Sequence, residues 1–285
     1  MSSVEERYPI GVFTSIGAGL GVTPQVVKEL GIPTIQLHAP PKKLRSKEHI
    51  NELKRDLSEA GIKVTVVFCG FEGESYADIP TVRRTVGLVP RETRKERLIE
   101  TKEISDFAAA LGVDAIAMHI GFIPEDPQDP LYSEVVEACM EVCDYAKKNG
   151  QRFHLETGQE TADTLLRFIG DVGRDNLFVN FDPANMILYG SGEPIEALRK
   201  VGKFVRSVHC KDAKWSSRPG EEWGEEVPLG QGDVNIPLFL KTLKEVGYVG
   251  PLTIEREITG EQQRRDVAEA VKYLERLRSE ILADP

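Results

Sequence analysis

The sequence contains little of what would place it in a specialised class of protein. Four of its 285 residues are cysteine, and no two of them have the C-x-x-C spacing of a zinc ribbon or a redox motif. We therefore expect free, buried thiols and no disulfide. No run approaches the roughly 18 consecutive apolar residues of a membrane span. The first six residues have neither the basic nor the apolar part of a secretory signal. These absences favour a cytoplasmic protein without a membrane partner.

Positive charge is also scarce. Lysine and arginine total 36 residues against 46 aspartates and glutamates, which gives a formal net charge of −10 and a pI near 5.2. A protein that holds nucleic acid by its phosphates needs a basic face, so no nucleic-acid partner is expected. With 40% hydrophobic residues, the composition is that of a soluble globular chain with a large core.

Short β-rich segments alternate with amphipathic helical segments along the whole chain. The pattern predicts strands at 9–14, 34–38, 63–69, 114–119, 152–156, 177–182, 205–211 and 251–255. It predicts helices at 24–30, 46–60, 91–111, 131–148, 161–169, 194–201, 236–246 and 260–282. Eight strand–helix units in strict alternation require parallel strands with helical crossovers. The sequence therefore predicts an α/β fold, a single (β/α)8 TIM barrel domain that covers residues 1–285.

The alternative fold is an open, doubly wound sheet that binds a dinucleotide. Its first turn carries the pattern G-x-G-x-x-G, whereas residues 15–21 of this chain carry G-x-G-x-G. No acidic residue follows the second predicted strand at the distance that a ribose-binding carboxylate requires. The closed barrel is therefore favoured over a nucleotide-binding sheet.

Polar residues occupy the C-terminal ends of six predicted strands, which is where barrel enzymes place their active sites. Residues two apart on a strand share a face, so the paired positions point the same way. These end residues are Gln36 and His38, His119, His154 and Glu156, Asn180 and Asp182, His209 and Lys211, and Glu255 and Glu257. Because buried charge without a partner is costly, six such ends together indicate a functional site.

Four of these residues have the chemistry of metal ligands: Glu156, Asp182, His209 and Glu255. Three carboxylates and one imidazole suit Mn²⁺, Mg²⁺ or Co²⁺ better than structural zinc. Without a cation between them, the converging carboxylates would repel one another. We expect one divalent metal ion, in the first place Mn²⁺, with Mg²⁺, Co²⁺ or Zn²⁺ as alternatives. Salt bridges to Lys211, Arg206 or Arg256 are the other interpretation of the same residues.

Five segments carry recognisable motifs: HLETG at 154–158, NFDPAN at 180–185, VHCKD at 208–212, PLGQGD at 228–233 and LTIERE at 252–257. They resemble the xylose isomerase-like TIM barrels, and within them the sugar phosphate isomerase/epimerase family. That branch includes tagatose 3-epimerase-like, hydroxypyruvate isomerase-like and inosose-processing enzymes. The resemblance runs from the second predicted strand to the eighth. It implies that the four residues named above hold the metal and that Glu156 and Glu255 are also the acid/base pair.

The chain departs from the ketose 3-epimerases of this family at two places. Those enzymes usually carry a histidine three residues after the aspartate of the sixth strand, where this chain has Asn185. They also carry an arginine downstream of the histidine of the seventh strand, where this chain has Lys214 and Trp215. Both departures argue against a simple 3-epimerase of free ketohexoses.

The resemblance and the ligand set together predict a sugar isomerase or epimerase. The substrate is a sugar, a sugar phosphate or a keto-sugar, and the reaction runs through a metal-stabilised cis-enediolate. If the carbon β to the carbonyl bears a leaving group, the same chemistry makes the protein a lyase or a dehydratase of a keto-sugar, keto-glycoside or inosose. A metal-dependent nuclease like endonuclease IV and a non-catalytic sugar-binding barrel are the remaining alternatives, and the negative charge argues against the first.

Substrate contacts are expected from His119, Asn185, Lys211 and Trp215. The long loops at 70–90 and 213–234 are expected to shape the pocket. The second loop holds both tryptophans, Trp215 and Trp223, which either stack on the sugar or anchor the loop. On the first loop, Arg83 and Arg84 are either anion-binding or solvated. The sequence leaves open which sugar is bound, whether it is phosphorylated, and whether the chain forms a homo-oligomer.

Overall fold

A computed structural model of the chain describes residues 7–17 and 19–283. Within that part it forms ten strands: β1 Ile10–Ser15, β2 Thr34–His38, β3 Lys63–Phe68, β4 Ala115–Met118, β5 Arg152–Glu156, β6 Leu177–Phe181, β7 Val205–Cys210, β8 Asp212–Lys214, β9 Glu225–Val227 and β10 Leu252–Ile254. It also forms ten α-helices: α1 Pro24–Glu29, α2 Lys47–Glu59, α3 Ile79–Thr85, α4 Arg91–Leu111, α5 Pro130–Lys148, α6 Ala162–Val172, α7 Pro183–Tyr189, α8 Pro194–Val201, α9 Ile236–Glu245 and α10 Glu261–Ala283.

Eight of the strands close into a parallel barrel in the order β1-β10-β7-β6-β5-β4-β3-β2. The first strand closes the ring because it pairs in parallel with both β2 and β10. The remaining two strands, β8 and β9, form an antiparallel ribbon after β7. The predicted (β/α)8 TIM barrel is confirmed, and each predicted barrel strand is present with an end shifted by at most a few residues.

The elements that the sequence did not predict are short. Helix α3 lies inside the loop expected at 70–90, and its first turn is capped by Asp78, whose side chain accepts a hydrogen bond from the Thr81 N–H. Helix α7 follows β6 directly and is capped in the same way by Asp182. Neither helix is longer than seven residues, so neither shows the repeated apolar spacing on which helix prediction depends.

The two faces of the barrel strands have different surroundings. Outward-facing side chains such as Val12, Leu37 and Leu155 are fully buried between the barrel and its helices. Inside the barrel, strands β1, β3 and β4 contribute a small apolar cluster of Phe13, Val66, Phe68, Ala115 and Ala117. Strands β5 to β7 instead contribute buried polar side chains to the interior, namely His154, Asn180 and Ser207. The polar half of the interior lies beneath the predicted metal ligands.

Three further expectations remain. All four cysteines are buried and free, as expected. None of the helices within residues 7–17 and 19–283 combines the length and the apolar character needed to cross a bilayer. The expectation of no secretory signal was drawn from residues 1–6, which lie outside the described part of the chain.

Candidate metal centre

The structure brings the four predicted ligands together at the C-terminal mouth of the barrel. Glu156 is the last residue of β5, Asp182 follows β6, His209 lies near the end of β7, and Glu255 follows β10. Each side chain offers a nitrogen or oxygen atom, and these four atoms all lie within 4.8 Å of one another. All four residues are buried. The topology of the barrel thus gathers residues that are up to 99 positions apart in the sequence into one cluster.

The imidazole of His209 is the centre of this cluster. Its Nδ1 lies 2.8 Å from Glu156 Oε1, 3.3 Å from Asp182 Oδ2 and 3.3 Å from Glu255 Oε2. On the other side of the ring, Nε2 donates a hydrogen bond of 2.9 Å to Gln36 Oε1. The amide oxygen of Gln36 accepts only, so it fixes the proton on Nε2 and turns Nδ1 towards the carboxylates.

The donor set fits a divalent cation. Three carboxylate oxygens and one imidazole nitrogen converge, and hard cations such as Mn²⁺ and Mg²⁺ take these donors. The two oxygens of the Asp182 carboxylate have different partners. Oδ1 accepts a hydrogen bond from the backbone N–H of Asn185 at 3.0 Å, and Oδ2 faces His209, where a metal ion would bind. The four residues could therefore hold one metal ion.

Charge in the cluster is balanced by protons when no cation is bound. Burial disfavours a charged His209 ring, but the carboxylates of Glu255 and Glu156 outweigh burial and raise the pKa of His209 well above its ordinary value. Burial raises the pKa of Glu156, but His119 and His209 outweigh it and lower the pKa to about 2. Because a metal ligand must offer its lone pair, metal binding at Nδ1 releases a proton.

His119, predicted to contact substrate, lies beside the cluster directly after β4, the strand that pairs with β5. Its Nε2 donates to Glu156 Oε2 at 2.8 Å, and its Nδ1 is buried without a hydrogen-bond partner. Burial lowers the pKa of His119, but the nearby Glu156 carboxylate outweighs it and raises the pKa to about 8. The imidazolium therefore holds Glu156 in its ionised form.

Lys211 is buried on the other side of the cluster and has three hydrogen-bond acceptors. Its Nζ donates to Asn185 Oδ1 at 3.1 Å, to Glu255 Oε2 at 3.0 Å and to Glu257 Oε2 at 2.6 Å. Asn185 in turn donates to Glu156 Oε1 at 3.4 Å, so it links the two halves of the site. The salt-bridge interpretation therefore applies to Lys211, which pairs with two ligand carboxylates, Glu255 at 3.0 Å and Asp182 at 3.8 Å.

The other two cations considered from the sequence do not reach the cluster. Arg256 pairs with Glu226 at 2.9 Å and with Asp266 at 2.8 Å. Arg206 donates to the backbone carbonyls of Lys203 and Val205. Salt bridges from these arginines therefore do not account for the convergence of the three carboxylates.

A cavity of about 500 Å³ opens above the cluster. Glu156, Glu255 and Asn185 contribute to its lining, together with His119. Its walls carry five aromatic side chains: Phe13, Phe68, Tyr76, Tyr189 and Trp223. His38 also lines the cavity; its Nδ1–H donates to the Ala39 carbonyl at 3.1 Å, which leaves Nε2 as an acceptor.

Three residues singled out on the predicted loops are not among the lining residues. Trp215 is 37% exposed, and its backbone N–H donates to Asp233. The guanidinium of Arg83 lies 4.3 Å from the centre of the Phe122 ring, and Arg84 donates to Thr81. Of the two tryptophans, Trp223 reaches the cavity, and the predicted contact of Trp215 with substrate stays a prediction.

Sequence reasoning missed several residues near the site. Tyr76 and Tyr189 line the cavity from segments without regular periodicity, so no pattern marked them. Glu160 is buried in the loop after β5, and burial raises its pKa to about 8 even though His119 opposes the shift. A carboxyl group four residues after a predicted ligand is the one signal in the sequence that could have drawn attention to Glu160.

The sequence model of one protein family, described as xylose isomerase-like TIM barrel, matches residues 24–277. The chain belongs to this family. The resemblance predicted from the five motifs is therefore confirmed. Proteins described as epimerases, and one described as a probable dehydratase, share the fold of this chain.

Three solved structures of xylose isomerase-like barrels share the fold. A xylose isomerase domain protein from Planctomyces limnophilus is 56% identical, covers 97% of this chain and 99% of that chain, and has a TM-score of 0.95. A D-tagatose 3-epimerase-like protein is 20% identical, with coverage of 96% and 98% and a TM-score of 0.73. A protein from Mycobacterium smegmatis, crystallised with magnesium, is 22% identical, with coverage of 97% and 98% and a TM-score of 0.71. At these identities, the last two similarities establish the fold alone.

Curated relatives align over shorter stretches. An uncharacterized protein of Methanocaldococcus jannaschii is 26% identical over 187 residues, 60% of this chain and 57% of that protein. An inosose dehydratase of Clostridium botulinum is 26% identical over 115 residues, 36% of this chain and 38% of the dehydratase. The chain thus matches little more than half the length of the first relative and little more than a third of the second.

Proposed function

We propose that this protein is a divalent-metal-dependent isomerase or epimerase of sugars. The observation that carries the proposal is the placement of four ligand atoms within 4.8 Å of one another at the barrel mouth, with two of the carboxylates opening onto the cavity. Buried carboxylates in such numbers are stabilised by a bound cation. The epimerase-like structural neighbour supports the reaction class by its fold.

Glu156, Asp182, His209 and Glu255 would hold the metal, for which we propose Mn²⁺ on the basis of the oxygen-rich donor set. When bound there, the ion supplies Lewis-acid polarisation of a substrate carbonyl and its neighbouring hydroxyl. The residues of the chain then have to position the sugar and move one proton.

Glu156 and Glu255 are the proposed acid/base pair. They come from β5 and β10, which are separated in the barrel by β6 and β7, so they face the substrate from two directions. Each carboxylate is ionised beside a cation: His119 at Glu156, and Lys211 at Glu255. One carboxylate takes the proton from the carbon next to the carbonyl. The other returns it to the opposite face of that carbon, which inverts it, or to the neighbouring carbon, which isomerises the sugar.

His119 and Asn185 are the proposed binding residues for substrate oxygens, and Lys211, expected from the sequence to contact substrate, is proposed to position them. His119 and Asn185 line the cavity next to Glu156. Lys211 is buried and acts through Asn185, Glu255 and Glu257, which it holds in place. Together they order the polar end of the cavity before substrate arrives.

Elimination from a keto-sugar is the second candidate reaction. Asn185 occupies the position at which ketose 3-epimerases carry a histidine, so the site differs from theirs beside the acid/base glutamate. The partial match to an inosose dehydratase points the same way.

The test is turnover of a panel of ketoses and keto-glycosides by the Mn²⁺-loaded protein in D₂O. An isomerase or epimerase that uses side-chain bases places deuterium on the carbon next to the carbonyl. An eliminating enzyme instead yields a product that has lost water or an alcohol. If the metal-loaded protein neither exchanges deuterium nor forms product with any member of the panel, the proposed function is wrong.

A further inference from the structure

We propose that the cavity takes an uncharged sugar bearing a second ring, and that this second ring lies against the aromatic wall formed by Tyr76, Tyr189 and Trp223. The inference rests on the proposed function, because it places the reacting sugar at the four-residue cluster. It specifies the class of substrate: a glycoside or an oligosaccharide, and neither a sugar phosphate nor a sugar acid.

The aromatic wall comes from three different segments of the barrel mouth. Tyr189 ends α7, and Trp223 precedes β9 of the ribbon; their ring centres are 4.6 Å apart at an angle of 54°. Tyr76 comes from the loop after β3, and its ring centre lies 6.0 Å from that of His119. Because His119 is hydrogen-bonded to Glu156, the wall begins directly beside the acid/base residues.

The tryptophan side of the wall is held in place by backbone contacts. The N–H of Gly224 donates to the Leu188 carbonyl at 3.1 Å, which ties the ribbon to α7. Gly190 has a positive φ of 68°, and a β-carbon on it would collide with the backbone nitrogen of Gly220. These contacts fix Trp223 before any ligand binds, so little conformational entropy remains to be lost on binding.

The tyrosine side is supported from behind by apolar side chains. Tyr189 packs in a buried cluster with Ile79, Val82 and Val86 of the α3 segment. Phe122 meets the Tyr189 ring edge-on at 5.6 Å, and the guanidinium of Arg83 lies over the Phe122 ring, 4.3 Å from its centre. Arg83, which the sequence offers as a candidate anion-binding residue, thus packs against Phe122 next to the aromatic wall.

The size of the cavity exceeds what the reacting sugar requires. Its volume of about 500 Å³ falls within the range of sites that enclose whole drug-sized ligands with more than one ring. The polar cluster occupies one end, and the aromatic wall extends from it. Aromatic faces carry negative charge density and attract the polarised C–H groups of a sugar or aglycone ring, whereas hydroxyl-rich edges prefer the carboxylates.

The charge of the lining argues against an anionic substituent. Among the described lining residues, five are acidic: Glu74, Glu156, Glu226, Glu255 and Glu257. The one arginine or lysine among them, Arg256, is already paired with Glu226 and Asp266. A phosphate or carboxylate placed against the aromatic wall would lose hydration and meet like charges, and the imidazolium of His119 in the lining is already paired with Glu156.

A matched set of ketoses tests the proposal. The probes are D-fructose, D-fructose 6-phosphate and three glucosyl-fructoses with the second ring on O3, O5 or O6, titrated into the Mn²⁺-loaded protein by calorimetry. We expect at least one glucosyl-fructose to bind about tenfold more tightly than fructose, equivalent to about 1.4 kcal/mol. We expect the 6-phosphate to bind more weakly than fructose. If all three disaccharides bind no better than fructose, or the phosphate binds best, the proposal is overturned.

Substitutions in the aromatic wall test whether the second ring binds there. Trp223→Ala and, separately, Tyr76→Ala should remove most of the gain of the disaccharide over fructose, measured as the ratio of the two Kd values within each variant. Tyr76 is 46% exposed, so its truncation leaves the core intact. Tyr145→Ala, on the outer face of α5, is the matched aromatic control and should keep the gain. Retention of the gain in both cavity variants would show that the ring binds elsewhere.

The result separates this inference from the proposed function. Deuterium exchange into fructose together with equal binding of all the probes would leave the isomerase intact and reject the second-ring site. Tight disaccharide binding without exchange into any probe would support the aromatic subsite and contradict the isomerase.

Discussion

The Nε2–H of His209 donates to Gln36 Oε1, and the Nε2 of Gln36 donates in turn to Asn180 Oδ1 at 3.0 Å. These side chains come from β7, β2 and β6, so the hydrogen bonds cross the interior of the barrel beneath the cluster. All three are fully buried. The interior polar layer thus orients the imidazole from below, while the carboxylates approach it from the sides.

Gln36→Met should weaken metal binding although no ligand is changed. The variant keeps a side chain of similar length but removes the acceptor that fixes the proton on Nε2. Losing such an outer partner of a ligating histidine typically reduces metal affinity by roughly 10- to 100-fold. Titration of Mn²⁺ into the metal-free protein measures the change. An unchanged Kd in a folded variant would show that the carboxylates alone orient His209.

Asp182→Ala and His209→Ala should each prevent stable metal binding. The wild-type protein is expected to hold about one divalent ion per chain after dialysis against Mn²⁺. Each substitution removes one of four donors, so activity should fall by orders of magnitude while the fold survives. Elemental analysis and circular dichroism check the two parts. A variant with near-normal turnover and bound metal would remove that residue from the ligand set.

Glu156→Gln and Glu255→Gln should separate proton transfer from metal binding. Glutamine keeps an oxygen that can still bind the metal but cannot accept the proton, so each variant should retain Mn²⁺ and lose about 10²- to 10⁴-fold in rate. In an epimerase the losses are directional, since each variant fails to exchange deuterium into one of the two epimers. Full exchange in both variants would move the proton transfer to other groups, of which His119 and Lys211 are the nearest.

The part of the site that the sequence predicts is the part that the barrel topology determines. Once eight parallel strands close into a ring, the residues at their C-terminal ends lie at one mouth of the barrel. The position of Glu156 and Glu255 near each other can therefore be predicted from the strand assignment alone. The position of the aromatic wall is instead determined by how the loops pack, which the sequence pattern does not show. Trp223 reaches the cavity because the β8–β9 ribbon packs on α7, and the spacing of the two tryptophans does not distinguish Trp223 from Trp215.

The hydrogen-bond partners of the buried polar residues also cannot be predicted from the alternation of polar and apolar residues. Gln36 was identified at a strand end, but its partner Asn180 lies 144 positions away and meets it through the barrel interior. His154 lies two residues before Glu156, and strand alternation predicts that the two side chains share a face of β5. The structure places the His154 side chain in the barrel interior beside Ser207, and His154 is not among the residues that line the cavity. Strand alternation gives the face of a side chain but not its depth in the barrel.

The depth of His154 has a consequence for stability in acid. Its Nδ1 lies 2.8 Å from Ser207 Oγ, and its Nε2 is buried without a partner. Burial, with smaller contributions from Arg152 and Arg206, lowers the pKa of His154 to about 3. The folded protein therefore keeps this imidazole neutral at pH values where the unfolded chain, with an ordinary pKa of about 6.5, takes up a proton.

Between these two pKa values the unfolded chain binds more protons than the folded one, so the free energy of unfolding falls as the pH falls. The contribution of His154 is about 1.4 kcal/mol per pH unit in the steep part of this range. His154→Gln cannot be protonated, so its free energy of unfolding should depend less on pH by that amount. Urea unfolding of both proteins between about pH 6 and pH 4 measures the two slopes, and titration of the other groups cancels in the difference. Equal slopes would mean that His154 takes up its proton in the folded barrel, with Ser207 and the interior polar layer accommodating the charge.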